Sequence, residues 1–334
     1  MINLNVFFIP SPHVGYKERS IIKILYSLFY IRSAEPKKDE LAHFMTKLSQ
    51  QSEVKTLRLY LPQYVCNLIY DFLIKFQISK SINFFFAHFD SGIYRDNIYC
   101  VMPMFYSDTF TVTNRGWGTQ RSLSEISVSH ESDQTVQLIR EYSRNRHTKF
   151  PLENTYPVNL EQNLVLVVMQ LPWDQTITQK SQVSWMQFAE IVRVLCMTNK
   201  SQKFRLRLHP LHELRGPYMT AVSSLLELPN VTLSQNDLFD ELEHSKCVLL
   251  INSGVGFEAL MVGRPVISFG DCIYRHFTCF VQKGFDNDEK LSDMVEVAFG
   301  NLRVFEEKKD DFIRDNLYCL NDVKKFWGKT KGNV

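Results

Sequence analysis

From Leu164 to Val168 the chain runs Leu-Val-Leu-Val-Val, closed by Met169 and Gln170. An apolar, β-branched run of this length, bounded by Asn163 and by Leu171-Pro172, reads as a buried strand and is too short for a helix. A loop and an amphipathic helix near 184–198 follow, and the alternation then repeats. KFRLRLHP (203–210) reads as a strand, 217–226 as a helix, NVTLSQ (230–235) as a strand and 236–244 as a short helix. CVLLIN (247–252) is the next strand. The loop SGVG then leads into the helix FEALMV, and RPVISFG (264–270) closes the series. Strand and helix in alternation with short connections imply parallel βαβ units.

The first half carries the same alternation. LNVFFI (4–9), TLRLYL (56–61), NFFFAHF (83–89) and NIYCVMP (97–103) read as strands. Helical spacing appears over 18–31, where Ile21, Ile22, Leu25, Leu28 and Phe29 share a side, over 38–50, and after Pro62. Between 113 and 163 the pattern weakens into Gly-, Ser-, Asn- and Pro-rich sequence, and 148–162 reads as an interdomain linker. A chain of 334 residues is expected to hold roughly two domains at about 150 residues each. The expectation is therefore an α/β protein of two Rossmann-like lobes facing a central cleft, the GT-B arrangement. The lobes span 1–150 and 151–310, and a C-terminal helix and basic tail span 311–334. In such sheets ligands bind beyond the carboxyl ends of the strands, so the chemistry is sought there.

Charge and cysteine usage narrow the class. Thirty-eight basic and 36 acidic side chains leave a net charge of +2, without the basic excess of a general nucleic-acid binder. The seven cysteines form no CxxC pair and no zinc-spaced cluster, which points to buried thiols in a reducing compartment. MINLNVFFIPSPH lacks the pattern of a secretion signal, and runs such as Cys247–Ile251 are too short to span a bilayer. The expected setting is the cytoplasm or a membrane surface.

Four stretches carry candidate chemistry. In INSGVGFEALMVGRPVISFGDCIY (251–274) a strand ends at Asn252, and Ser253-Gly254-Val255-Gly256 turns into a helix. Free N–H groups at a helix start favour an anion, the Ser253 hydroxyl adds a donor, and the glycines admit a phosphate close to the backbone. Glu258 is placed for a ribose diol, although Ser253 reads equally as an N-cap and Glu258 as a partner of the helix dipole. His209-Pro210 ends the strand RLRL. There a His can donate to a phosphate or protonate a leaving group, with Arg205 and Arg207 adding positive charge; a solvated strand edge is the other reading. Gln170-Leu-Pro-Trp-Asp174 sets a carboxylate just past VLVVM, suited to nucleophile or base and equally to a plain turn. Asp90-Ser-Gly-Ile-Tyr-Arg95 sets another past NFFFAHF, where a turn also suffices.

Together these stretches resemble the bacterial capsule polysaccharide synthesis family, which includes β-Kdo transferases acting on capsule and lipopolysaccharide acceptors. The family's N-S-x-x-G-x-E-A-L, G-[KR]-P-V and G-x-x-x-Y elements are similar to 252–274, ending at Gly270 and Tyr274. Its Q-x-x-x-D resembles Gln170 to Asp174, its H-P pair His209-Pro210, and its E-D-G-[FIL]-x-R element Asp90 to Arg95, with Asp90-Ser91 standing for Glu-Asp. The H-P pair and the serine-bearing loop are also similar to those of bacterial sialyltransferases, which supports a CMP-activated sugar.

The resemblance implies a transferase that moves Kdo or a related 2-keto sugar acid from a CMP-linked donor to a glycan or lipid-linked acceptor. It makes 1–150 the acceptor lobe and 151–310 the nucleotide-sugar lobe. It implies that His209, Ser253 and the amides around Gly254 and Gly256 hold the CMP phosphate, and that Glu258 holds the ribose or cytidine. Asp174 is then the nucleophile of a retaining double displacement and Asp90 the base for the acceptor hydroxyl. Gln170 and Arg95 orient the sugar carboxylate or nearby side chains. CMP leaves as a stable phosphate monoester, so no metal or other cofactor is expected. The tail DVKKFWGKTKGNV suggests peripheral contact with the inner membrane, or a helix end packing back on the first lobe. A sialyltransferase or polyol-phosphate transferase is the enzymatic alternative, and a non-catalytic nucleotide-sugar-binding assembly protein is the alternative of another class.

Overall fold

The computed structural model describes residues 4–10, 40–52, 55–61, 66, 68–70, 72–73, 82–86, 97–106, 108–113, 133–148, 163–178, 181–210, 216–281, 290–319 and 322. They divide into two compact units. The first takes in the described residues up to Thr113, then Asp133–Gln137, and those from Phe312 on; the second is Leu138–Asp311. The sequence reading set the division at 150/151 and kept 311–334 apart. The chain divides instead at 137/138, inside a helix, and its C-terminal residues return to the first unit.

In chain order the first unit comprises β1 (Leu4–Pro10), α1 (Glu40–Gln50), β2 (Lys55–Leu61), β3 (Ile82–Phe86), β4 (Ile98–Pro103) and β5 (Thr109–Thr113). α2 (Gln134–Arg144) leads into the second unit. Stacked rings tie its central strands together. β1 runs parallel to β3 with Phe7 opposite Phe85 and Phe8 opposite Phe86, and their ring centroids are 4.3 and 4.4 Å apart. Phe85 stacks in turn on Tyr99 of β4, and Phe44 of α1 on Phe110 of β5. Aromatic cross-strand pairs of this kind add about 0.5–1.5 kcal/mol each beyond burial.

The second unit runs β6 (Leu164–Met169), α3 (Gln175–Thr178), α4 (Trp185–Thr198), β7 (Phe204–Leu208), α5 (Pro217–Leu226), β8 (Val231–Leu233), α6 (Leu238–His244), β9 (Ser245–Leu250), α7 (Val255–Met261), β10 (Val266–Ser268) and β11 (Cys279–Phe280). α8 (Leu291–Asn316) then carries the chain out of it to β12 (Tyr318–Cys319). Among the described residues no helix is long and apolar enough to cross a membrane.

The sheets differ in kind. The first has the order β12-β5-β4-β3-β1-β2, and β5 pairs antiparallel with both β4 and β12. The wholly parallel reading fails at this edge. The sequence reading missed β5 because TFTVT alternates Thr with apolar residues after a strand-like run had already ended, and missed β12 because it is two residues long. It missed α2 because only Val136 and Ile139 are buried apolar residues in its eleven; what starts that helix is Asp133, whose carboxylate accepts from the Thr135 and Val136 amides. The second sheet is parallel throughout, in the order β11-β10-β9-β6-β7-β8. All six residues of β6 are buried, as a parallel strand covered on both faces requires.

α4 shows how sequence places a helix on that sheet. Ser184 and Gln187 form a reciprocal capping box at its start, and Phe188, Ala189, Val192, Leu195 and Cys196 form its buried face. The amide of Asn230 seals its far end by donating to the carbonyls of Cys196, Asn199 and Gln202.

β7 contributes a buried ion pair. Arg207 donates to Glu241 of α6 at 2.9 Å, to the Asn236 carbonyl and to Ser234, while Arg205 lies 4.0 Å from the same carboxylate. Burial pushes the Glu241 carboxyl up against the pull of Arg207, Ser234 and Arg205. Truncating one partner strands a buried charge, so Glu241→Ala is expected to cost about 3–5 kcal/mol in urea unfolding. A loss below about 1 kcal/mol, the worth of an exposed pair, would contradict that.

Candidate functional site

Counted from β6, the second sheet has the order 3-2-1-4-5-6, and the direction of winding reverses between β6 and β9. The carboxyl ends of strands flanking such a reversal form a crevice. Register sets Met169 opposite Leu208, and Val168 opposite Leu250. Gln170, His209 and Ile251-Asn252 therefore leave the sheet side by side.

A reciprocal amide pair closes the bottom of that crevice. Gln170 Nε2 donates to Asn252 Oδ1, and the Asn252 main-chain N–H donates to Gln170 Oε1, both at 2.9 Å. Asn252 Nδ2 donates to the Thr176 carbonyl at 2.7 Å, and the Gln170 carbonyl accepts from the indole of Trp185 at 2.8 Å. Gln170 and Asn252 are 6% and 1% exposed. Both ends of the Gln170 amide are engaged by Asn252, so of the two expected roles it is a nearby side chain that Gln170 orients among the described residues. Gln170 and Asn252 brace the loops that leave β6 and β9.

Asp174 sits at the end of the turn Leu171–Asp174, half-buried, where its Oδ1 accepts from both the N–H and the hydroxyl of Thr176 at 2.9 Å. Among the described residues none donates to Oδ2. Trp173, immediately before it, is 53% exposed.

On the β9 side, Ser253 Oγ accepts from the Val255 amide at 3.3 Å, and the helix N-cap is not Ser253 but Gly254, one residue on. Among the described residues the main-chain N–H groups of Ser253 and Gly254 meet no hydrogen-bond acceptor. The loop is held from above by Tyr274, whose hydroxyl donates to the Ser253 carbonyl. Burial, with Cys272 and Glu258 nearby, pushes this phenol well above its ordinary range, so it remains a donor. A Cβ on Gly256 would stand 2.7 Å from Tyr274 Cε2. The tyrosine ring by itself requires glycine at 256.

Two further expectations are corrected. Arg207 is 8% exposed and its guanidinium faces Glu241, Ser234 and Asn236, so it braces β7 and is not presented to a ligand. Glu258 is 3% exposed, with Tyr274 beside it, so little of its surface is open to a ribose. His209 is half-buried directly past β7, where the strand-end reading put it. Asp90 and Arg95 lie outside the described residues, as do the segments 18–31 and 149–162 and the lysine-rich tail. Thr176 was the residue least visible beforehand, whereas Tyr274 was named only as the end of a motif, without a role. The signal for Thr176 was Asp-Gln-Thr, a carboxylate two residues before a hydroxyl at a helix start.

The chain's residues 121–292 match the family model described as capsule polysaccharide biosynthesis protein. Protein FixF of Sinorhizobium fredii is 31% identical over 123 residues, which are 35% of this chain and 29% of that protein. Among solved structures, Thermosulfurimonas dismutans KpsC, β-Kdo 2,7 transferase, is 18% identical, with 89% of each chain covered and a TM-score of 0.47. KpsC of the same organism solved as a β-Kdo 2,4 transferase is 13% identical, with 90% of each covered and a TM-score of 0.44.

Asn252→Ala would orphan Gln170 Nε2 and the Thr176 carbonyl in the interior. Each buried polar group left unmade costs about 1–3 kcal/mol, so a loss of roughly 2–4 kcal/mol is expected in denaturant unfolding. A neutral substitution would show that the amide pair braces nothing.

Proposed function

The chain belongs to the capsule polysaccharide biosynthesis protein family, and from this we propose that it is a glycosyltransferase that transfers Kdo or a related 2-keto sugar acid from a CMP-activated donor to a glycan or glycolipid acceptor. The observation that carries the proposal is the crevice at the β6/β9 reversal. It sets a carboxylate oxygen without a donor among the described residues, Asp174 Oδ2, on one strand end and two N–H groups with a serine hydroxyl on the next. We read this as a nucleophile beside an anion cradle.

In this reading the N–H groups of Ser253 and Gly254, the Ser253 hydroxyl and His209 receive the CMP phosphate. Ser253 Oγ already accepts from Val255, which leaves its proton for a phosphate oxygen. Asp174 Oδ2 attacks the anomeric carbon; the bond from that carbon to the phosphate oxygen breaks, and CMP leaves with the electron pair. The acceptor hydroxyl then attacks the same carbon, its proton passes to a base, and the Asp174 carboxylate is released. Two displacements retain the anomeric configuration. Asp90 is the proposed base, on sequence alone. Exposed Trp173 offers a ring face against which a sugar can rest. The acceptor belongs to the first unit in this reading, in the GT-B manner, and the lysine-rich tail supplies contact with anionic lipid.

Asp174→Asn is expected to reduce release of CMP from CMP-Kdo by at least about a thousandfold, as loss of a nucleophile does, while CMP binding by calorimetry stays within about threefold of the parent. Turnover unchanged in the variant would remove Asp174 from the chemistry. Consumption of a CDP-linked polyol in place of the CMP-sugar would move the protein to polyol-phosphate transfer, and CMP binding without turnover in the parent would make it a binding protein.

A further inference from the structure

Thr176 does more than receive the cap of a short helix. An aspartate at a helix start accepts from an amide two residues on, and that explains the Thr176 N–H. It does not explain the second donor on the same oxygen, the Thr176 hydroxyl, nor why the residue is only 6% exposed in a four-residue helix. Thr176 is fixed from the neighbouring strand. Its carbonyl accepts from Asn252 Nδ2 at 2.7 Å, and its Oγ1 lies 2.9 Å from Asp174 Oδ1 and 3.3 Å from Asn252 Oδ1. Asn252 is in turn fixed by Gln170. A hydrogen-bonded chain thus runs Gln170–Asn252–Thr176–Asp174, from the sheet reversal to the carboxylate.

We infer that Thr176 is a positioning residue for Asp174: its two donors pin Oδ1 and turn Oδ2 toward the reacting carbon. The inference rests on the proposed nucleophilic role of Asp174. A carboxylate held by one amide can rotate about Cβ–Cγ and exchange its oxygens; held by two donors from one buried residue, it cannot do so without breaking both. The advantage is that of a preset attack geometry, where a displacement of 1 Å costs about a hundredfold in rate.

Two variants separate the hydroxyl from the shape. Thr176→Val keeps the volume and the N–H and removes the hydroxyl, whereas Thr176→Ser keeps the hydroxyl and removes a methyl. With CMP-Kdo as donor, Thr176→Val is expected to lower kcat about ten- to a hundredfold with KM within about twofold, and Thr176→Ser to stay within about threefold of the parent. Equal losses in both variants, or none in Thr176→Val, would overturn the inference. Crystal structures of the parent and Thr176→Val read the pose without any substrate. A rotated or doubled Asp174 carboxylate in the variant is expected, and an unchanged one overturns the inference even if the donor proves to be another sugar. Full activity in Asp174→Asn would instead remove the nucleophile reading, with the carboxylate pose in the two crystal structures still deciding the role of Thr176.

Discussion

Two amides facing each other across a pair of parallel strands carry the rest of the site. Gln170 and Asn252 stand where the second sheet reverses its winding, a place where the backbone leaves the sheet on both sides and nothing in the ladder holds it. Their exchange of hydrogen bonds at 2.9 Å replaces the ladder that has just ended. The Asp174 turn and the Ser253 loop each begin within four residues of this pair, so its geometry sets where the Asp174 carboxylate and the Ser253 loop amides come to lie. Buried amide pairs are unforgiving, since every atom must be matched; here the remaining Asn252 donor goes to Thr176 and the Gln170 carbonyl to Trp185.

The walls of the crevice are braced the same way, by buried polar groups. Arg207 is neutralised by Glu241, Tyr274 pins the Ser253 carbonyl while filling the space above Gly256, and Glu258 lies buried close by. Polar residues just past strand ends thus fall into two sets. Those facing inward fix the loops, and those left partly open, Asp174, Ser253 and His209, face what enters.

Much of this was legible in the residue order. The parallel strands of the second unit announced themselves through uninterrupted apolar runs such as Leu164–Met169, and the helices through amphipathic periodicity, as over 184–198. The antiparallel edge formed by β5 and β12 was not legible, because two residues at Tyr318 pair with a strand some two hundred positions earlier and no local pattern encodes such a partner. Within the site, the positions of Asp174, His209 and Ser253 followed from strand ends alone. The roles of Gln170, Asn252, Arg207 and Glu258 did not, because whether a polar side chain turns into the protein or out of it depends on neighbours distant in sequence, such as Glu241 and Tyr274. Thr176 escaped notice for the same reason: its meaning lies in Asn252, 76 residues away.

The central claim is that a CMP-linked donor occupies the β6/β9 crevice. Hydrogen–deuterium exchange of the whole chain, with CMP, UDP or GDP added at equal concentration, tests it most directly. The account predicts that CMP slows exchange in peptides covering 169–178 and 250–259, and that UDP and GDP do so far less. Protection by CMP confined to other segments, or equal protection by all three nucleotides, would contradict it.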